Sequence, residues 1–374
     1  MSREIVFVKY GSFSLVNERV EVMLRQQFPD RKVVILDAAK DILSAYPLRS
    51  LWLRIKTVLA ALPAFLHGRH SQWDFVFRDV QAWEMISRWI AKEIDPAKTD
   101  FIFQTQGMFD ASLSSVPFFI YTDHTRRAHR HQSGGGAPAS VGPGWEVAEE
   151  RLYHKADAIF TLSRFCEDSL VSDYAVPREK VLTVSTGINI DFPEEVRIRD
   201  RSKPVLLFVG VEWEVKGGPE LLAAFADVKK QLPAVELWIV GCKPAGLPPG
   251  VTCLGRVDRK RMAQLFAEAS VLCVPSRIER ASMVALDAAA HGLPVITTPH
   301  GAGSERVRDG LTGLLVDPQD TIGFSSAILH LLKNPDLAEE MGRAGRRMVE
   351  QDFTWSSVGS KIANRIRSTV HGLS

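Results

Sequence analysis

Short apolar runs recur along the chain and alternate with longer stretches in which apolar residues return every three or four positions. In the first half the runs fall at residues 5–8, 32–36, 101–103, 118–121, 158–160 and 181–184. In the second half they fall at 204–209, 235–240, 251–253, 271–274, 294–297 and 313–316. Runs this short that stay apolar throughout, rather than at alternate positions, predict strands covered on both faces. The stretches between them, such as residues 220–231 and 259–269, have the spacing of amphipathic helices. Strand and helix alternating in this way predict an α/β protein with parallel sheets under helices.

The two sets of strands are separated by residues 192–203, FPEEVRIRDRSK, which are polar and have no apolar period. This predicts an interdomain linker between a first domain at 1–192 and a second at 203–354. A chain of 374 residues suits two domains at about 100–200 residues each. The tail at 353–366 has helical spacing beyond the last strand, and residues 355–374 are expected to pack back on the first domain. Residues 132–144, QSGGGAPASVGPG, are too rich in Gly, Pro and Ser for regular structure. Two readings stay open for them, a surface insertion and a lid that orders over substrate.

Composition narrows the class. Hydrophobic residues make up 45% and charged residues 24% of an ordinary globular sequence. A formal net charge of +2 and a pI near 8.3 argue against nucleic acid as a partner. Cys166, Cys242, Cys253 and Cys273 form no C-x-x-C pair and are expected to be buried free thiols in a reducing compartment. The apolar run at 5–8 is too short for a signal-peptide core, and no run approaches the length of about 18 that a membrane span needs. A cytoplasmic location is expected, with one feature that suits the inner face of a membrane. Residues 47–72 carry Arg49, Arg54, Lys56 and Arg69 among leucines and Trp52, with no acid. They read either as a helix at an anionic membrane interface or as a helix packed on the first sheet. Arg126, Arg127 and Arg130, with His129 and His131, make a second basic cluster.

Two Rossmann-like domains would present helix N-termini, with free N–H groups and partial positive charge, to a diphosphate. No G-x-G-x-x-G follows the first strand and no G-x-x-x-x-G-K-[ST] occurs, which argues against a nicotinamide dehydrogenase and a P-loop enzyme. The informative segment is PSRIERASMVALD, residues 275–287. A strand ends at Pro275, Glu279 sits in the loop after it, and a helix beginning near Ser282 carries Asp287. Glu279 is placed to meet a sugar, Asp287 to accept the hydroxyls of a ribose, and the N–H groups of Ser282, Met283 and Val284 to meet phosphates. No Asp-x-Asp or His/Asp cluster with metal-ligand spacing is present.

Glu279 and Asp287 resemble the acid–seven residues–acid motif of the retaining glycosyltransferases of family 4. The likeness continues through His291-Gly292-Leu293-Pro294-Val295 and through Glu305 with Asp309-Gly310-x-x-Gly313, an E-x-V-x-D-G-x-T-G segment. Upstream, Phe208-Val209-Gly210 and Lys216-Gly217-Gly218 resemble the family's VGR and KG elements, and the match is good over residues 155–355. The departures are Asp287 for Glu, Arg280-Ala281-Ser282 for Pro-Phe-Gly and Val211 for Arg.

The resemblance implies a GT-B fold, two Rossmann-like domains with parallel sheets facing a central cleft. It implies a metal-independent, cofactor-free hexosyltransferase acting on a nucleotide-diphosphate sugar and a glycan or lipid-linked acceptor. Glu279, His124 and Lys216 are the implied catalytic residues. Gly210, Lys216, Arg277, Ser282, Met283, Val284 and Asp287 are expected on the donor, and Gly11 and Asp123 beside the acceptor. An epimerase on the same fold, or a non-catalytic nucleotide-sugar-binding module, remains the alternative.

Overall fold

The computed structural model describes residues 3–13, 15–41, 80–132, 144–194 and 202–373. The basic apolar segment at 47–72 and most of the Gly-rich segment at 132–144 lie outside the described residues. The chain divides into two units, Met1–Ser185 with Val358–Ser374 and Thr186–Ser357. The polar stretch at 192–203 therefore falls within the range of the second unit, and residues 195–201 of it are outside the described residues.

The first unit holds β1 (Glu4–Lys9), α1 (Val16–Gln27), β2 (Lys32–Asp37), α2 (Val80–Glu93), β3 (Thr99–Thr105), β4 (Phe118–Thr122), α3 (Arg126–Gln132), α4 (Trp145–Lys155), β5 (Ala158–Thr161), α5 (Arg164–Ser172) and β6 (Val181–Thr183). Its sheet runs β2-β1-β3-β4-β5-β6, with every pairing parallel. β3 and β4 are buried at every position, which is why they carry no polar alternation. One sheet face is lined by Phe7, Phe101, Phe103, Phe119 and Phe160, whose rings meet edge to face, tilted or stacked at 5.6–6.3 Å.

The second unit holds β7 (Val205–Val209), α6 (Gly218–Gln231), β8 (Glu236–Val240), β9 (Val251–Gly255), α7 (Arg259–Glu268), β10 (Val271–Val274), α8 (Met283–Ala290), β11 (Val295–Thr297), α9 (Gly303–Arg306), β12 (Gly313–Leu315), α10 (Thr321–Lys333), α11 (Pro335–Asp352) and the start of α12 (Trp355–Thr369). The sheet order is β12-β11-β10-β7-β8-β9, again parallel throughout. Each of the twelve apolar runs in the sequence thus lies in or over a strand. Helix starts are capped by side chains at Asp258 and Asp320, whose carboxylates accept the N–H of Arg261 at 2.7 Å and of Gly323 at 2.8 Å. α8 is different: Ser282 precedes it with φ 47° and ψ 42° and gives no side-chain cap.

From Val358 onward α12 belongs to the first unit. Its Gly359 lies so close to α1 that an added Cβ would stand 2.6 Å from Met23 Cγ. Arg367 lies over the Phe28 ring at 5.1 Å and donates to Gln27 O at 2.7 Å.

A buried carboxylate fixes α3. Glu149 of α4 accepts the Arg126 N–H with both oxygens, at 3.2 and 3.1 Å, and the hydroxyls of Tyr153 and Tyr174. Arg127 stacks 4.3 Å over Tyr174 and reaches Glu146 and Glu150, and Arg130 also pairs with Glu146. Arg127 and Arg130 of α3 are therefore engaged with acids of α4. Burial pushes the Glu149 carboxyl up to about 7, against hydrogen bonds from both tyrosines and the Arg126 amide that oppose it.

A raised carboxyl pKa favours the protonated form in the fold. Its contribution is complete below the ordinary 4.5 and is lost as pH rises through about 7. Wild-type stability should fall by up to roughly 3 kcal/mol between pH 5 and 8 from this group, and Glu149→Gln should remove most of that slope. Denaturant midpoints at the two pH values test this, and equal slopes in the two proteins would contradict it.

Candidate active site

The site in the second unit begins with a turn. β7 ends before Gly210, whose N–H donates to Val240 O at 2.9 Å. Residues 212–217 then double back, Lys216 N–H bonding Glu212 O at 2.9 Å. Gly217 has φ 74°, and a Cβ there would stand 1.9 Å from Pro275 O, so only glycine lets this turn rest on the exit of β10. Arg277 N–H completes the contact by donating to Val215 O at 3.0 Å.

That contact brings together two residues 63 positions apart. Lys216 Nζ donates to Glu279 Oε2 at 3.0 Å, and Ser276 Oγ donates to the same oxygen at 3.0 Å. Ser282 N–H donates to Glu279 Oε1 at 2.8 Å. Gly210 lies under the lysine stem, since an added Cβ would meet Lys216 Cγ at 3.0 Å. Glu279 is buried, and burial alone would raise its pKa; the Lys216 charge and the three hydrogen bonds outweigh that and hold the carboxyl below its ordinary value. The group is a carboxylate at neutral pH.

The other expected donor residues divide. Met283 and Val284 open α8, and the first N–H returning to the preceding turn is that of Ala285, to Ser282 O at 3.1 Å. The Ser282 N–H is not open to phosphate as expected, because Glu279 accepts it. Its hydroxyl is buried and has no hydrogen-bond partner. Asp287 is buried, and its Oδ1 accepts the N–H groups of Asn189 at 2.7 Å and Ile190 at 3.2 Å, so it anchors the chain where it enters the unit. Arg277 is exposed and pairs with Glu220 of α6.

In the first unit Gly11, Asp123 and His124 follow β1 and β4, on the carboxyl edge of the parallel sheet. Gly11 has φ 60°, its N–H donates to Asp37 Oδ1 at 3.1 Å, and its carbonyl accepts from Asn17 Nδ2 at 2.7 Å. Asn17 Oδ1 accepts in turn from Thr105 Oγ1 at 2.7 Å. The His124 ring meets His129 edge to face at 5.2 Å. Sequence reasoning missed Asn17 and Ser276. A lone amide on the apolar face of α1 was the available signal for the first, and a hydroxyl at a strand exit for the second. Among the described residues no three His, Cys, Asp or Glu side chains gather as a metal site.

Comparison with known proteins matches this unit. Residues 203–334 fit the family described as glycosyl transferases group 1. Over this region the chain is similar to the group 1 glycosyl transferases. The glycogen synthase of Mycobacterium tuberculosis is 27% identical over 267 residues, 68% of this chain and 63% of that protein. The chain thus spans less than two thirds of the length of that curated relative. Among solved structures, sucrose-phosphate synthase from Thermosynechococcus elongatus superposes with a TM-score of 0.69 at 19% identity, over 98% of this chain and 99% of that one. Anabaena HepE in complex with UDP and glucose gives 0.68 at 14% identity, over 98% and 100%. These likenesses show the fold: two Rossmann-like α/β units, the GT-B fold of these glycosyl transferases.

Lys216 and Glu279 should be coupled in stability. Breaking a buried ion pair by removing one partner costs about 3–5 kcal/mol. Because Lys216 is partly exposed, Lys216→Met is expected near the lower end, and adding Glu279→Gln should recover part of the loss. The depressed Glu279 pKa contributes stability above the ordinary 4.5 that is lost as pH falls through the folded value. Urea unfolding of both single variants and the double variant at neutral pH measures the coupling, and strict additivity would show that none exists.

Proposed function

We propose that this protein is a retaining glycosyltransferase that moves a sugar from a nucleotide-diphosphate sugar to a hydroxyl acceptor, a glycan or lipid-linked precursor. One observation carries the reading: a buried carboxylate held ionised by Lys216 with hydrogen bonds from Ser276 and Ser282, beside the start of a helix that has no side-chain cap, inside the residues that match the family.

The residues take roles that follow from their chemistry. Lys216 neutralises the diphosphate as negative charge grows on it, so it stabilises the transition state more than the ground state. The N–H groups of Met283 and Val284 meet phosphate oxygens at the helix start. Glu279 supports the positive charge that develops on the sugar as the bond to the diphosphate breaks. Gly210 leaves room for the diphosphate, and Arg277 lies at the outer edge of the site. Asp287 takes the ribose hydroxyls in addition to its hold on residues 189 and 190. His124 lines the sugar pocket, with Gly11 and Asp123 on the acceptor side. Protein cations do the work a metal does elsewhere, so no divalent ion is required. The leaving phosphate takes the acceptor proton on the face from which it departs, which retains the anomeric configuration.

A UDP-sugar is the first donor to test, because HepE is solved with UDP and with UDP-glucose. A GDP-mannose arm follows from the relative named as a GDP-mannose-dependent mannosyltransferase. Among the described residues no helix is long and apolar enough to cross a membrane. Contact with a membrane surface is proposed through residues 47–72, to reach a lipid-linked acceptor.

The expected result is nucleoside diphosphate release that needs acceptor, survives EDTA and gives an α-linked product from an α-linked donor, read by proton NMR of the anomeric signal. Lys216→Ala should lower kcat by about tenfold or more, the loss of one charged contact to the transition state. A β-linked product would remove retention, a strict need for a divalent ion would remove the metal-free mechanism, and release independent of acceptor would favour the alternatives. Pelleting with anionic vesicles at low salt but not at high salt is expected for the membrane contact.

A further inference from the structure

Arg306 is the bulkiest of the fully buried side chains among the described residues. It ends α9, within the E-x-V-x-D-G-x-T-G segment, at a position the pattern leaves open. A guanidinium stays charged inside a protein and costs several kcal/mol to bury unless its donors are satisfied. Its volume could be filled by an apolar residue at no such cost, so what its donors hold is informative.

Arg306 Nε donates to Ala281 O at 3.1 Å. The guanidinium carbon lies 5.2 Å over the Phe353 ring, and Glu305 stands 4.0 Å away. Ala281 lies between Glu279 and Ser282, the residue whose N–H donates to the Glu279 carboxylate. Ser282 holds φ 47° without being glycine, a strained conformation that persists only when its surroundings enforce it. The same short helix segment ties the loop a second time, two residues earlier, where Ala302 N–H donates to Glu279 O at 3.2 Å. Two carbonyls of a three-residue stretch are thus held from one side, with the strained residue next in the chain. An apolar side chain at 306 would fill the space and leave the Ala281 carbonyl buried without this donor.

We propose that Arg306 is a positioning residue for sugar transfer: acting through the Ala281 carbonyl, it fixes the peptide that places the Ser282 N–H on Glu279 and so sets the direction of the Glu279 carboxylate. Phe353 supports the guanidinium through its ring. The inference rests on the reading of Glu279 as part of the transfer site.

The test uses the full-length protein with a donor and acceptor on which the wild type is active. Arg306→Lys keeps charge and stem but loses the Nε donor geometry, Arg306→Met keeps only the volume, and Phe353→Leu loses the stacking while leaving the Ala281 hydrogen bond. Each is measured for kcat, donor KM, nucleoside diphosphate affinity and melting midpoint. Both Arg306 variants should lose about tenfold or more in kcat, since small displacements of a reacting group are costly in rate. Their nucleoside diphosphate affinity should stay within about threefold of wild type, and the acid limb of the pH–rate profile should move upward as Glu279 loses an N–H donor. Phe353→Leu should melt earlier with kcat nearly unchanged.

Unchanged kcat in a folded Arg306→Lys, or an equal loss of kcat in Phe353→Leu, would overturn the proposal and leave Arg306 as a structural residue alone. If Arg306→Met does not fold, Arg306→Lys carries the same readout. A wild type inactive with every donor and acceptor would instead sink the reading of the site.

Discussion

The second unit's site depends on an atom that is missing. Without a Cβ at Gly217 the turn after β7 can lie directly on the Pro275 carbonyl, where any side chain would put carbon 1.9 Å from oxygen. Everything near Glu279 follows from that approach. Lys216 is carried to the carboxylate, Arg277 N–H finds Val215 O, and the exit of β10 is held where Ser276 and Ser282 can reach the same two oxygens. Seen this way the Lys-Gly-Gly sequence encodes a distance as well as a charge.

Each unit buries a carboxylate whose pKa is shifted, and the two shifts run in opposite directions. Glu279 has a lysine within hydrogen-bonding distance, and its pKa goes down; Glu149 has two phenols and a backbone N–H, and its pKa goes up. Both are buried, and what separates them is a cationic side chain hydrogen-bonded directly to Glu279, where Glu149 is hydrogen-bonded by neutral groups with the Glu146 charge nearby. The first arrangement keeps a fixed negative charge available to chemistry. The second makes a hydrogen-bonded joint between α3 and α4, in which the hydroxyls of Tyr153 and Tyr174 do the holding.

Much of the fold was legible because strands of a parallel sheet are apolar end to end, and that signal does not depend on register. β3 and β4, buried at every residue, were visible through their runs of Phe, Ile and Tyr at 101–103 and 118–121, while the polar ends of β3 were not. The loop acid Glu279 and the turn lysine Lys216 were legible one at a time through their motifs, while their contact was not, since it depends on how two strand exits come together. Arg277 reads in sequence as a phosphate cation, and only the fold shows Glu220 of α6 beside it. Asp287 shows the same limit: its grip on Asn189 and Ile190 joins residues nearly a hundred positions apart. Arg306 was illegible for a different reason. Within Ser-Glu-Arg-Val-Arg-Asp it has the composition of a solvated turn, yet it is among the most deeply buried side chains described.

The return of α12 to the first unit has a consequence for how the protein is made. The second unit is a continuous stretch, whereas the first contains residues from both ends of the sequence. While a ribosome synthesises Thr186–Ser357, 172 residues, at about 5–20 residues per second, α1 waits roughly ten to thirty seconds with Met23 and Phe28 uncovered. The later-made domain can close first, and the earlier-made one is sealed only after α12 has followed it. For that interval the nascent chain offers an apolar strip to chaperones that the finished molecule hides.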